Sequence, residues 1–412
     1  MNSKSPTFCV LPWIHLEART DGQVSPCCLS QQTITNNDGS KLYLFKDHIK
    51  EAFKSNWMET LRRQLNEGIQ HPNCRVCWKD EGVGQDSRRK RENRRHEQII
   101  KRNLATKEIS EQPIFLDLKL GNLCNLKCRI CGPYSSTKWT QESIDLFGED
   151  SLPQNQSGVR LTNSADRKNV MNWYEVNPSF WNTIEEWLPK IEIFEIFGGE
   201  PFLITRHFEL LKMSIEKGYS KNQSLHYNTN GTVFPEATIK EVFPEFKSVK
   251  AMFSLDGTGK QFEYQRFPAK WQTSFENLMK FKSLGVNVEI CLTLSALNIY
   301  YLTDYLEFWS QWDVPIYLNV LDTPTQYNFQ VFPQDVKQKI LKKLSSARQD
   351  IFKKNILNSY QPVLDSLMDG DLSEHFPKFI KATKLHDNYR KQSYQDCFPE
   401  FYEIVKPYFE TI

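Results

Sequence analysis

Gly121-Asn122-Leu123-Cys124-Asn125-Leu126-Lys127-Cys128-Arg129-Ile130-Cys131-Gly132 follows directly on a strand-like run, Ile114–Lys119. The spacing is C-x3-C-x2-C on one short loop. Three thiolates so placed hold three irons of a [4Fe–4S] cube and leave the fourth iron open to another ligand. A site that only braced the fold would draw four ligands from the protein. The loop therefore points to reactive chemistry at the end of a first strand.

Downstream of this loop, strand-like and helix-like stretches alternate. Further strands are predicted at 191–197, 225–228, 249–254, 286–294 and 316–320, with amphipathic helices at 180–188, 207–217, 239–243 and 271–284 between several of them. Such alternation predicts an α/β fold with a parallel sheet or an open barrel, whose chemistry gathers at the carboxyl ends of its strands. Residues 132–177 read as a polar insertion with one helix near 137–146, and the last ninety residues as helices and loops.

The whole chain has 412 residues, a formal charge of +2, 39% hydrophobic residues and 27 Phe, enough for a large core and too balanced to advertise nucleic acid. No apolar run reaches the roughly 18 residues of a membrane helix. The start, Met1 to Pro6, has no apolar signal segment, so a cytoplasmic location is expected. Eight of the ten cysteines fall in the first third of the chain. In a reducing cytosol they read as metal or cluster ligands rather than disulfides.

Further elements stand in order at predicted strand ends: Gly198-Gly199-Glu200-Pro201, Thr229-Asn230-Gly231, Ser254-Leu255-Asp256-Gly257, and Thr293 with Asn298 beyond it. Taken with the cysteine triplet, this series resembles the radical S-adenosylmethionine (SAM) superfamily over about residues 110–325. The resemblance implies a partial (β/α)6 barrel in which Cys124, Cys128 and Cys131 hold the catalytic cluster. It further implies that Gly198, Gly199, Glu200 and Pro201 meet the methionyl amine of SAM, while Asn230, Ser254, Asp256 and Thr293 line the cofactor. Arg266 is placed to pair with the SAM carboxylate, since Arg suits carboxylates bidentately. One departure is Ile130, where the family usually has an aromatic residue. SAM would chelate the open iron, and one electron would release a 5′-deoxyadenosyl radical that abstracts a substrate hydrogen.

The first 85 residues read as a small module. A hairpin across Thr20-Asp21-Gly22, a helical stretch 45–65 stopped by Gly68, and a knuckle-like turn 72–77 are predicted. Cys9, Gly22-x4-Cys27 and Cys74-x2-Cys77 resemble the auxiliary-cluster part of twitch and SPASM extensions, here ahead of the barrel instead of behind it. Cys9, Cys27, Cys74 and Cys77 would hold a second [4Fe–4S] cluster. Cys28 is an alternative to Cys27, and a four-cysteine zinc site an alternative to the cluster. Residues 86–110 form a basic linker, read as a solvated helix in preference to a patch for an acidic partner. The organisation expected is 1–85 auxiliary module, 86–110 linker, 111–325 barrel and 326–412 helical extension.

Function follows by resemblance: radical chemistry on a substrate, preferably a peptide or protein that is cross-linked, dehydrogenated or epimerised. A sugar or nucleotide metabolite is the alternative, and a non-catalytic iron–sulfur or zinc protein the alternative of another class. An external one-electron donor of the flavodoxin or ferredoxin kind is implied. Strand parity puts Glu289, Cys291 and Thr293 on one face of the fifth strand. Cys291 is accordingly either a hydrogen-atom donor beside substrate or a thiol filling a core gap.

Overall fold

The structure, a computed structural model, describes residues 3–82, 86–106, 111–153, 171–346 and 354–411. Residues 154–170 of the expected polar insertion, 107–110 of the linker and the side chain of Arg102 lie outside the described residues. Among the described residues the chain is an α/β protein of eight strands with a mainly helical carboxyl-terminal region. It divides into two compact units, one of Met1–Leu123, Leu152–Tyr227 and Glu236–Val249, the other of Cys124–Ser151, Asn228–Pro235 and Lys250–Ile412.

In the first unit β1 (His15–Ala18) and β2 (Val24–Ser25) form the expected hairpin, antiparallel with Glu17 opposite Ser25. Its turn needs Gly22 at φ +78°, where an added Cβ would lie 2.9 Å from the Trp173 ring. β1 also pairs in parallel with β3 (Phe115–Lys119), a ladder the sequence does not announce. β4 (Ile193–Phe197) and β5 (Ser224–Thr229) extend the parallel run. The predicted helix 45–65 is instead two helices, Ile49–Phe53 and Asn56–Asn66. Ser55 breaks the run because its side chain caps the Met58 N–H.

Side chains alternate along each strand, so register decides what shares a face. Glu17, Asp117, Glu195 and His226 stand in one row across β1, β3, β4 and β5. The basic stretch turns toward this row, which corrects the solvated reading in part. In helix Arg88–Arg95, Arg88 lies 3.8 Å from Glu195, and Arg89 is buried in a pair with Glu81. Burial of these charges is tolerated because each meets a carboxylate. Lys90, Arg91 and Arg94 remain on the solvated side.

In the second unit β6 (Ser248–Phe253), β7 (Asn287–Leu294) and β8 (Ile316–Val320) pair in parallel in chain order. Helices Trp271–Ser283 and Leu302–Ser310 cover them through an aromatic cluster of Trp271, Phe275, Phe308 and Trp309. Of these four only Trp309 is fully buried, and the other three are half-buried. Val288, Ile290, Leu292 and Leu294 are buried, whereas Glu289, Cys291 and Thr293 are half-buried on the opposite face. Among the described residues no helix is long and apolar enough to cross a membrane.

Candidate functional site

The cysteine loop lies in the second unit, beginning at Cys124. Its backbone is held on both sides of Cys128: the Lys127 N–H donates to the Phe267 carbonyl and the Arg129 N–H to the Gln265 carbonyl, each at 2.8 Å. The Trp139 indole donates to the Cys128 carbonyl at 3.1 Å, and Ser136 Oγ to the Leu126 carbonyl at 2.5 Å. Cys124 and Cys128 are buried and Cys131 is exposed. A hydrogen bond between Cys128 and Cys131 raises the pKa of the former and lowers that of the latter, and the Arg266 charge lowers both. Cys128 and Cys131 thus share a hydrogen bond under one cation, and Cys124 acts on Cys131 by charge.

Other predicted residues of this unit gather at the loop. Asn230 Nδ2 points at Cys124 Sγ from 3.8 Å and donates to Asn125 Oδ1 at 3.0 Å. Arg266 Nη1 is 4.0 Å from Cys128 Sγ. The buried Asp256 takes Arg266 at 2.6 Å on Oδ2 and the Thr293 N–H at 2.9 Å on Oδ1. Asn298 ties the same corner, donating to the carbonyls of Asp256 and Thr293 at 3.1 and 2.9 Å. Asp256 therefore binds strand ends and Arg266 to each other, and Arg266 keeps only its far nitrogen for the sulfurs. Ser254 donates its N–H to the Thr229 carbonyl at 2.9 Å. Cys291 is half-buried, and its thiol is pushed up to about 12, by burial first and the Asp256 charge next.

Gly198–Pro201 belongs to the first unit and follows β4. Gly199 has φ +53°, and a Cβ there would lie 2.2 Å from the Leu123 carbonyl oxygen. Only glycine permits that approach. The Glu200 N–H donates to the same carbonyl at 2.8 Å, so this element grips the residue immediately before Cys124. The Glu200 carboxylate is fully buried and accepts from the Phe202 N–H at 3.2 Å.

The amino-terminal cysteines also lie in the first unit. Burial, then the neighbouring thiols, raise Cys9 and Cys74, the latter to about 12. Cys74 feels Cys27 and Cys77, Cys9 feels Cys74 and Cys77, and Cys27 feels Cys9. Backbone N–H groups of Leu11, Leu29 and Arg89 are aimed at Cys9, Cys27 and Cys77 and oppose the rise. Four thiols that repel as anions, three of which receive amide donors, suit a bound cationic cluster, which inverts that electrostatic balance. Cys28 faces elsewhere, among Arg88, Asp117, Glu17 and Lys119. Among the described residues no three cysteine, histidine or carboxylate groups converge on a single-ion site.

Sequence reasoning missed the ionic frame of the cysteine loop. Lys127 pairs with Glu142 at 2.7 Å, and Arg129 pairs with Asp387 at 2.5 Å. Burial raises the Glu142 carboxyl, but hydrogen bonds from His386 and Lys127 and the Arg390 charge outweigh it and hold the group at about 2. Arg129 and Asp387 lie 258 residues apart and Glu142 and Arg390 248, which leaves no spacing signal to read.

No family model and no curated protein sequence matches the chain. Among solved structures it is similar to native anSMEcpe with bound AdoMet, at 18% identity and a TM-score of 0.40, over 60% of this chain and 63% of that one. The match thus spans under two thirds of that protein's length. It is also similar to Streptococcus suis SuiB, at 12% identity and a TM-score of 0.37, over 86% of this chain and 68% of that one. For SuiB bound to the precursor peptide SuiA the identity is 12% and the TM-score 0.35, over 84% and 69%.

Proposed function

We propose that the chain is a radical SAM enzyme. The observation that carries the reading is the loop of Cys124, Cys128 and Cys131, with the Asn230 amide and the Arg266 guanidinium already turned toward two of its sulfurs. Cys124, Cys128 and Cys131 would hold a [4Fe–4S] cluster there, which together with SAM would supply radical abstraction of a substrate hydrogen. The protein's own residues orient and shield. The three cysteines hold the cluster, Asp256 fixes Arg266 and the start of the β7 turn, and Gly198–Pro201 with Glu200 accepts the methionyl amine. Asn230, Ser254 and Thr293 line the cofactor.

Cys9, Cys27, Cys74 and Cys77 hold an auxiliary [4Fe–4S] cluster in this reading. Cys27 is the ligand because it faces Cys9, whereas Cys28 faces the charged row. The substrate is a peptide or protein, the reductant a flavodoxin- or ferredoxin-like donor, and the location cytoplasmic. Cys291, a neutral half-buried thiol on the Thr293 face, is placed to return a hydrogen atom to a substrate radical. The deciding experiment is anaerobic reconstitution. About seven to eight irons per chain, and 5′-deoxyadenosine released from SAM on reduction, are expected. About four irons, or stoichiometric zinc, with intact SAM would overturn the reading.

A further inference from the structure

The helix Phe376–Arg390 lies far along the chain from the cysteine loop, yet one of its faces is given over to that loop. Thr383, His386, Asp387 and Arg390 fall at i, i+3, i+4 and i+7 and so share a side of the helix. Asp387 Oδ1 accepts from Arg129 at 2.5 Å and from the Tyr264 hydroxyl at 2.8 Å, while Oδ2 accepts from the Tyr394 N–H at 2.7 Å. The Arg129 guanidinium is 1% exposed, stacks 4.0 Å over Tyr264 and donates to Gln392 at 3.0 Å. His386 and Arg390 both meet Glu142 at 2.8 Å, and Glu142 in turn holds Lys127.

Lys127 and Arg129 are the neighbours of Cys128 on either side. The buried Glu142 fixes the charge of Lys127 and the half-buried Asp387 that of Arg129, and each residue is tied by its backbone to the segment around Arg266. Buried ion pairs are a poor way to gain stability, because desolvation offsets most of the attraction. What they do well is fix geometry, since breaking one leaves a charge without a partner. We propose that Asp387 and Glu142, set by the carboxyl-terminal helix, are positioning residues that hold Cys128 and its sulfur in the orientation the cluster requires. This rests on the radical SAM reading above.

The test compares reconstituted wild type with Asp387→Asn, which removes the charge and keeps the shape. Circular dichroism first establishes that the variant folds. Two readouts follow: the rate at which a chelator strips iron from the loop cluster, and the change that SAM produces in the electron paramagnetic resonance spectrum of the reduced protein. Iron loss about tenfold faster and an altered SAM-induced spectrum are expected, as for outer partners of metal ligands generally. A purely structural role would lower the melting temperature and leave the SAM-induced spectrum as in wild type, which overturns the proposal. Should Asp387→Asn not fold, Tyr264→Phe removes one hydrogen bond onto Asp387, and the same readouts decide: a shift supports, wild-type values overturn. Wild type that holds two clusters and cleaves SAM while the variant matches it refutes this inference alone. Wild type that does neither refutes the reading beneath it.

Discussion

The two sets of cysteines are held in opposite ways. The amino-terminal four sit where a hairpin, a short turn and a helix of one unit meet, and backbone N–H groups address three of their sulfurs. Their surroundings come from the first hundred residues. The triplet sits on one short loop, fixed by backbone bonds to Phe267 and Gln265 and also by side chains, Glu142 nearby in the chain and Arg266 and Asp387 from distant segments. A backbone cradle tolerates exchange of its neighbouring side chains. A side-chain cage does not, so the second site is the more vulnerable to single substitutions away from the ligands.

The largest effect expected from this contrast is at the triplet itself. If, as proposed, Cys124, Cys128 and Cys131 are the three ligands, replacing any one with Ala should bring SAM cleavage down to the background of the uncatalysed mixture. Iron should drop toward about four per chain, the remainder being the amino-terminal cluster. Continued release of 5′-deoxyadenosine from the triple variant, measured by chromatography, would place the site elsewhere.

Cys74→Ala probes the other set and should separate the two halves of turnover. On the proposed reading SAM cleavage should persist in part and product formation should be lost, the substrate radical having lost its electron partner. Product yield equal to wild type removes the auxiliary cluster from the reaction. An unfolded variant would confine that cluster to a structural role.

The same contrast explains what the sequence made legible. All six strands of the β3–β8 series were readable because each is a short apolar run followed by a turn signal, and β8 matches its predicted bounds residue for residue. The cysteine spacings were readable because ligands on one loop must be close in sequence. The pairing of β1 with β3 was not, since His15–Ala18 and Phe115–Lys119 are a hundred residues apart and both simply read as strand. The half-burial of Arg88 and the burial of Arg89 were equally hidden: charge runs normally face water, and the exceptions rest on the register row containing Glu195 for Arg88 and on Glu81 for Arg89. Asp256 shows the limit most clearly. Its motif suggests cofactor contact, while the structure commits both its oxygens to Arg266 and the Thr293 N–H.

Glu200→Gln should have a smaller effect, on affinity alone. The carboxylate is fully buried, so the loss of a charged acceptor toward an ammonium group costs about 1.5–3 kcal/mol. That corresponds to a SAM Kd raised roughly 10- to 150-fold by isothermal titration. Wild-type affinity in the variant would remove Glu200 from the cofactor.

Cys291→Ala alters the kind of product rather than its amount. If the thiol returns a hydrogen atom, the variant should accumulate an oxidised product while 5′-deoxyadenosine release continues, both read by mass spectrometry. Product chemistry identical to wild type makes Cys291 a packing residue.

The last and smallest effect contrasts the two units in acid. In the first unit, burial lowers His15 to about 4 and His207 to about 3. Between pH 6.5 and those values the unfolded chain binds protons that the folded unit refuses, so stability falls as pH falls. In the second unit Glu142 is held at about 2. Its contribution is complete above the unfolded carboxylate range and disappears only as pH drops from about 4.5 toward 2. His386, also lowered, adds to the second unit in the same sense as the other histidines. His207→Phe discriminates between the units, because His207 is fully buried beside Phe208 and Tyr227 and a phenyl ring fits that setting. From pH 7 to 5 the variant should lose about 2 kcal/mol less unfolding free energy than wild type, measured by urea titration at each pH. Glu142→Gln should flatten the curve below about pH 4.5 and, by removing the carboxylate that raises His386, steepen it between pH 7 and 5. Equal pH profiles for His207→Phe and wild type would mean that His207 is protonated within the folded unit, and that acid sensitivity in this range arises elsewhere.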